Sequence, residues 1–172
     1  MYDYGVNQDL AEWILRDTLN MLVLPPQEPI EMALSIHDNR LVSYEVQCEA
    51  RTILLRTEYR VKNQSTEFIN VIFRGLEGYR FENDAFGNII FGLETVALEQ
   101  FLTEYGAEIS KAYNAAGSPG PWAANLETAS RYLRENAIEG FILSSSFGLS
   151  GWILAREMSI FSAAPGVSVE MK

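Results

Sequence analysis

The chain has 172 residues, and its 13 Lys plus Arg against 23 Asp plus Glu give a formal net charge of −10 at neutral pH. A hydrophobic content of 48% is sufficient to fill a core and excludes a chain that is mostly disordered. One cysteine and one histidine exclude a disulfide-stapled scaffold and a Cys/His zinc site. We therefore expect a single domain over residues 1–172, with no metal and no cofactor.

The first half of the chain predicts one helix followed by a sheet. Apolar residues recur at helical spacing over residues 7–24, and Pro25 ends that helix. Alternation of apolar and polar residues then predicts an antiparallel sheet over residues 32–93, with one face in water. The side expected to meet the helices carries Val42, Tyr44, Val46, Ile53, Leu55 and Tyr59, and the side expected to face water carries Gln47, Arg56, Glu58 and Arg60.

The second half changes from sheet to helix and back. Helical spacing predicts helices over residues 94–114 and 125–136, with Gly106 expected to break or kink the first of them. A final hairpin is predicted over residues 141–160. These elements give an α+β fold class, a mostly antiparallel sheet with helices packed on one face.

Charge and hydropathy exclude two classes of partner. Residues 81–109 contain six acids and no Lys or Arg, and the only basic stretch, residues 51–80, is short with a net charge of +3, which makes nucleic acid a poor partner. The first basic residue is Arg16, which does not fit the basic start of a signal peptide, and the early apolar run over residues 21–24 is far too short to cross a membrane. We expect a cytoplasmic protein with no nucleic-acid and no membrane partner.

No pattern of catalytic residues is present in the sequence. His37 and Asp38 are adjacent in a stretch of turn composition, which favours an exposed imidazole over a general base. Cys48 follows the apolar phase of its strand, so we expect it to be buried and out of hydrogen-bond reach of His37. The serines near Gly151 do not match the Gly-x-Ser-x-Gly nucleophile motif. We therefore assign no catalytic residue.

The acid-rich segment is the best candidate for a binding surface. Glutamates repeat through it without an intervening base, and carboxylates in that density are complementary to a basic protein partner. A solvated helix face is the structural alternative for the same residues. The residues that we predict to contact a partner are Glu94, Glu99, Glu104 and Glu108.

Residues 34–102 also carry a resemblance to known proteins. The stretches Ile36–Tyr44, Val71–Phe81 and Asn88–Phe91 resemble small uncharacterised bacterial proteins, some of which are similar to contact-toxin immunity proteins. The matching residues are mainly strand and turn determinants. The resemblance therefore implies an interaction role and transfers no catalytic position.

Three functions follow from these features. The first is a non-enzymatic acidic binding protein, with an immunity-like inhibitor of a basic protein as its specific form. The second is a small enzyme or ligand-binding domain with a cleft near His37, Asp38 and Tyr44. The third is a structural homo-oligomer joined through strand edges or an exposed aromatic patch. A basic partner whose binding weakens with salt would support the first function. A deep pocket beside His37 would support the second, and an apolar two-fold patch would support the third.

Overall fold

The computed structural model describes residues 34–60, 62, 65–117, 120–122 and 125–163. These residues belong to one compact unit that begins at Leu34. The helix predicted over residues 7–24 lies outside the described residues. Eight strands, two α-helices and a short 3₁₀ turn make up the described part. They are β1 (Arg40–Gln47), β2 (Thr52–Tyr59), β3 (Glu67–Arg74), β4 (Gly78–Glu82), β5 (Ile89–Val96), α1 (Leu98–Ala115), the 3₁₀ turn Gly120–Trp122, α2 (Leu126–Glu135), β6 (Glu139–Phe147), β7 (Ser150–Ala155) and β8 (Glu157–Ala163).

All eight strands form one antiparallel sheet in the order β4-β7-β6-β5-β1-β2-β3-β8. At one end of this order β8 pairs with β3, and at the other end β4 pairs with β7. The chain joins the two ends, because β3 leads into β4 and β7 leads into β8. Arg74 pairs with Glu157 on one side of the bend and Gly78 pairs with Leu154 on the other. At the bend the Arg156 amide donates to the Arg74 carbonyl at 3.0 Å. The sheet therefore closes around its own interior.

The inward side chains of this closed sheet form the first core. Ile53 and Leu55 of β2 are fully buried, as the alternation of the sequence predicts. Phe73 of β3 meets Phe141 of β6 edge to face, with ring centroids 5.3 Å apart, so strands from opposite walls pack directly on each other. Burial of these side chains is the main stabilising contribution of the sheet.

The helices cover the outer side of β6 and β7 and form a second core, which confirms an α+β fold with helices on one face. Phe101 of α1 packs against Trp152 of β7 with ring centroids 5.7 Å apart. α2 begins at the predicted position, where the Asn125 side chain accepts a hydrogen bond from the Thr128 amide at 2.8 Å. No helix among the described residues is long and apolar enough to cross a membrane.

α1 is one continuous helix, so of the two outcomes predicted at Gly106, one helix or two, the structure has one. Gly106 is buried, and a Cβ there would lie 3.0 Å from the Leu126 side chain. The glycine therefore permits the close approach of α2. The helix predicted from residue 94 begins at Leu98, because residues 94–96 still pair with β6 as the end of β5.

Three of the predicted side-chain environments are wrong at β1. A register shift between Leu41 and Ser43 puts Leu41 into the core and leaves Val42 half exposed. Tyr44 is 39% exposed because β1 and β5 pair only through Arg40 and Ile89. Cys48 is exposed because β1 ends at Gln47 and the chain turns. A bulge and a strand end therefore override the sequence periodicity.

Three further corrections concern β2. Its predicted inward side faces the interior of the closed sheet, whereas the helices pack on β6 and β7. Tyr59, predicted inward, is 38% exposed at the strand end. Glu58, predicted to face water, is only 3% exposed and lies between Arg40 and Arg60.

Candidate functional site

A cleft of about 360 Å³ opens between α1 and the outer side of β4, β6 and β7. We call it the acidic cleft. Its lining consists of ionic, aromatic, hydroxyl and aliphatic groups, contributed by Arg80, Glu82, Tyr105, Glu108, Ile142, Leu143, Ser144, Ser145, Ser150, Gly151 and Trp152.

Strand register builds the floor of the acidic cleft. Arg80 of β4 lies opposite Trp152 of β7, and Trp152 lies opposite Ile142 of β6. Two residues further along the same pair of strands, Glu82 of β4 lies opposite Ser150 of β7. Because side chains two residues apart on a strand share a face, Arg80 and Glu82 both emerge beside the cleft.

One glycine makes this register feasible. Gly151 has a φ of +155°, and a Cβ at this position would overlap the carbonyl oxygen of Arg80. A side chain at residue 151 would therefore separate β7 from β4 where the cleft floor is formed.

α1 supplies the wall of the cleft. Tyr105 and Glu108 are three residues apart and so lie on the same side of the helix. The Tyr105 ring packs near Trp152, with ring centroids 6.3 Å apart. Burial, with added effects of the neighbouring Glu104 and Glu82, raises the pKa of Tyr105 to about 12. The phenol therefore stays protonated at neutral pH and acts as a neutral hydrogen-bonding group.

The charges of the cleft converge on Arg80. Its guanidinium forms ion pairs with Glu82 on its own strand and with Glu108 on α1. All three side chains are about half exposed, so water still reaches the triad. Two carboxylates against one guanidinium leave the described lining with a net negative charge.

The floor of the cleft also contains an unpaired donor. Trp152 is 7% exposed, and its indole Nε1 is buried with no hydrogen-bond partner among the described residues. The indole nitrogen of Trp122 is in the same condition, but Trp122 does not line the cleft. A buried N–H without an acceptor costs free energy, so both indole nitrogens are a cost to the fold.

The four glutamates predicted to contact a partner lie on two elements. Glu94 lies on β5, whereas the other three lie on α1. Glu99 pairs with Arg134 of α2, and Glu108 pairs with Arg80. Glu99 and Glu108 are therefore paired within the chain, which favours the structural alternative for these two, and Glu104 lies beside Tyr105 of the acidic cleft.

The three residues of the predicted alternative cleft, His37, Asp38 and Tyr44, make separate contacts. The His37 ring contacts Phe91, and its Nδ1 lies at the Phe91 carbonyl oxygen. Its Nε2 lies 3.5 Å from Asp38, with both side chains more than half exposed, which agrees with a turn. Tyr44 instead donates a hydrogen bond to Asp84 at 3.0 Å. None of the three predicted residues lines either of the two cavities described here.

A second cavity, of about 310 Å³, lies at the bend between β3 and β4. It is lined in part by Cys48, Arg51 and Glu77. Glu77 accepts a hydrogen bond from the Tyr132 hydroxyl at 3.2 Å and lies 3.9 Å from the Arg51 guanidinium. These bonds tie α2 to the bend, which gives Glu77 a structural role. Cys48 makes no hydrogen bond with His37, as predicted, since the whole of β1 separates them.

Sequence reasoning missed four residues of the acidic cleft: Arg80, Glu82, Tyr105 and Trp152. Two local patterns could have indicated these residues: an Arg-x-Glu alternation on a strand and a Tyr–Glu pair at helical spacing. Both patterns are common on solvated surfaces, so neither is specific for a cleft. Among the described residues, no group of three His, Cys, Asp or Glu side chains is placed to hold a metal ion.

Comparisons with known proteins return no similar chain. No family model matches, and no match is found among curated proteins or solved structures. The resemblance of residues 34–102 to immunity-like proteins therefore stays a prediction.

Proposed function

We propose that this chain is a non-enzymatic acidic binding protein whose partner is a basic protein. The observation that carries the proposal is the net negative acidic cleft, in which Glu82 and Glu108 face the single guanidinium of Arg80. Glu104 adds a further carboxylate beside Tyr105. Clustered carboxylates attract a basic surface and accelerate its encounter with the cleft.

The specific form of this function is inhibition. The resemblance of residues 34–102 to toxin-immunity-like proteins supports it. On this basis we expect the chain to block its partner at a one-to-one ratio.

The test begins with capture of a partner on the immobilised chain, followed by identification and purification of that partner. Its association rate is then measured by stopped flow over a range of salt concentrations. We compare the native chain with a cleft variant in which Glu82, Glu104 and Glu108 are replaced by Gln. A control variant carries Gln at Glu127, Glu135 and Glu139, which changes the net charge equally outside the cleft.

The expected result is a basic partner whose association slows as salt rises, because exposed charges beyond a Debye length are screened. The cleft variant should associate about 10-fold more slowly at low salt, and the control variant much less. An acidic partner, a rate that does not depend on salt, or equal slowing in both variants would overturn the proposal.

A second function, assembly of copies of this chain, is favoured by one surface. Ile89 and Phe147 are register partners on β5 and β6 and are 38% and 55% exposed, and Phe91 is 56% exposed. Exposed apolar side chains in contact are typical of protein interfaces. Light scattering of the native chain and of Phe91→Ser tests this function, since an oligomer should dissociate in the variant.

A further inference from the structure

The exposed apolar side chains of β5 belong to a surface that we call the β5 surface, which is formed by Asp38, Arg40, Ile89, Phe91 and Phe147. These residues lie in two rows that run across the strands. The first row consists of Arg40 of β1, Ile89 of β5 and Phe147 of β6, which are successive register partners. Because β1 and β5 are antiparallel, the residue two before Arg40 lies beside the residue two after Ile89. Asp38 and Phe91 therefore form the second row.

Two contacts fix the position of the second row. The Asp38 amide donates to the Ile90 carbonyl at 2.9 Å, so the chain before β1 stays at the edge of β5. The His37 ring packs edge to face on the Phe91 ring, with ring centroids 5.2 Å apart, and its Nε2 lies 3.5 Å from the Asp38 carboxylate. That carboxylate therefore borders the exposed Phe91 ring.

The strand residues of the β5 surface point out of the closed sheet. Leu41 and Ile90, the chain neighbours of Arg40 and Ile89, belong to the first core, and successive residues of a strand face opposite sides. The side chains that are more than half exposed are those of Asp38, Arg40, Phe91 and Phe147. The β5 surface is therefore open to a partner.

The two rows carry charges of opposite sign. Arg40 shares Glu58 with Arg60, and two guanidinium groups against one carboxylate leave this end of the first row with a net positive charge. The Arg40 bonds to Glu58 use Nε and Nη2, and a guanidinium has a further nitrogen, Nη1, that can donate to a second carboxylate. Asp38 places a negative charge at the same end of the second row.

This pattern is complementary to itself. If a second copy is turned by half a turn about a line between the two rows, its Asp38 faces Arg40 and its Phe91 faces Ile89. One rotation thus pairs opposite charges along β1 and apolar side chains along β5. Matching of a surface with its own copy in this way is the property of a two-fold interface.

We propose that a second copy of this chain packs on the β5 surface around a two-fold axis that lies between the two rows. Two symmetric ion pairs, each between Asp38 of one copy and Arg40 of the other, then flank an apolar centre formed by Ile89 and Phe91 of both copies. This rests on the second proposed function, assembly of copies, and names the interface, its symmetry and the dimer as the size of the assembly.

The experiment is sedimentation velocity of the full chain at physiological salt, over concentrations from about 1 to about 500 µM, where small interfaces associate. Phe91→Ser removes part of the apolar centre. Asp38→Lys reverses the charge of the second row, and Asp38→Asn removes that charge with a residue that tolerates the positive φ of 62° at this position. The matched controls are Tyr79→Ser, at an exposed aromatic residue of β4, and Glu127→Lys, at an exposed acid of α2. The melting temperature of each variant verifies that it is folded.

We expect a monomer–dimer equilibrium with a Kd in the micromolar range, since a small interface is typical of weak association. Phe91→Ser should raise the Kd about 10-fold or more, because each copy loses an apolar ring from the centre. Asp38→Lys should raise it about 10-fold, because the new lysine faces Arg40 of the other copy. Asp38→Asn should raise it about 3-fold, which corresponds to the loss of two exposed ion pairs, and each control less than about 2-fold.

A dimer in which Asp38→Lys has no more effect than Glu127→Lys, or Phe91→Ser no more than Tyr79→Ser, would overturn this inference and leave assembly through another surface. Assemblies larger than a dimer would also overturn it, because a two-fold interface closes with two copies. A native chain that stays monomeric at the highest concentration would remove both this inference and the second proposed function.

Discussion

Two ionic triads in this protein have opposite composition and opposite environments. At β1 and β2, one carboxylate, Glu58, lies between Arg40 and Arg60. In the acidic cleft, one guanidinium, Arg80, lies between Glu82 and Glu108. The central Glu58 side chain is 3% exposed, whereas Arg80 is 46% exposed.

The difference in exposure separates a structural triad from one that is available for binding. Burial of a carboxylate disfavours its charged form, so the charged form of Glu58 is stabilised by its two arginine partners. Burial by itself would raise the pKa of Glu58, but the hydrogen bonds from Arg60 and Arg40 outweigh it and hold the pKa below its usual value. The Arg80 triad stays hydrated, so its members can exchange partners without leaving a buried charge unpaired.

The largest expected effect comes from removing the partners of the buried charge. Replacing both Arg40 and Arg60 with Ala leaves Glu58 buried without compensation, and should lower the free energy of unfolding by about 3 kcal/mol. Glu58→Gln should cost less, because the two arginines it frees are more than half exposed. Urea denaturation measures both. A Glu58→Gln loss as large as that of the double variant would mean that the triad is not organised around a buried acid.

The pH dependence of stability should be stronger in the native chain than in Glu58→Gln. The folded pKa of Glu58 is below its unfolded value, so its contribution is complete above the unfolded pKa and is lost as the pH falls through the folded pKa. The difference between the two melting temperatures, measured from about pH 7 down to about pH 3, should therefore shrink below the usual glutamate pKa of 4.5. Parallel curves for the two chains would contradict the assigned direction.

The exposed triad should contribute little to folding. Replacing Glu82 and Glu108 with Gln should change the free energy of unfolding by less than about 1 kcal/mol, since solvated ion pairs are worth little. The same urea titration measures this change beside that of the Arg40 and Arg60 double variant. A loss as large as that of the buried triad would show that the cleft is a structural device.

The smallest effect concerns Tyr105 in the wall of the cleft. Glu104→Gln should lower the pKa of Tyr105 from about 12, because it removes a carboxylate that favours the protonated phenol. The pKa should remain above 10.0, since burial is the larger cause. NMR of labelled tyrosines, with Tyr105→Phe for assignment, follows this ionisation. A pKa that does not change would mean that Glu104 does not contribute and would leave burial and Glu82 as the causes of the shift.

Short-range patterns of the sequence were sufficient for the element types. Alternation identified β2, whose Ile53 and Leu55 are fully buried, and helical spacing identified α2, which the Asn125 side chain caps. Such signals succeed because the two faces of a strand and the first turn of a helix are set by neighbouring residues. The cleft was not predictable in the same way, because its charges converge from β4 and α1.

The sequence by itself determined the α+β class, the strand and helix identities of most segments and the negative charge of residues 81–109. Only the tertiary structure decided which charges are buried, which are paired and which remain open to a partner. Glu99 meets an arginine 35 residues away, and Val42 leaves the core because β1 and β2 shift in register. Both outcomes depend on the alignment of distant segments, and hydrophobic packing of the whole sheet and its helices fixes that alignment.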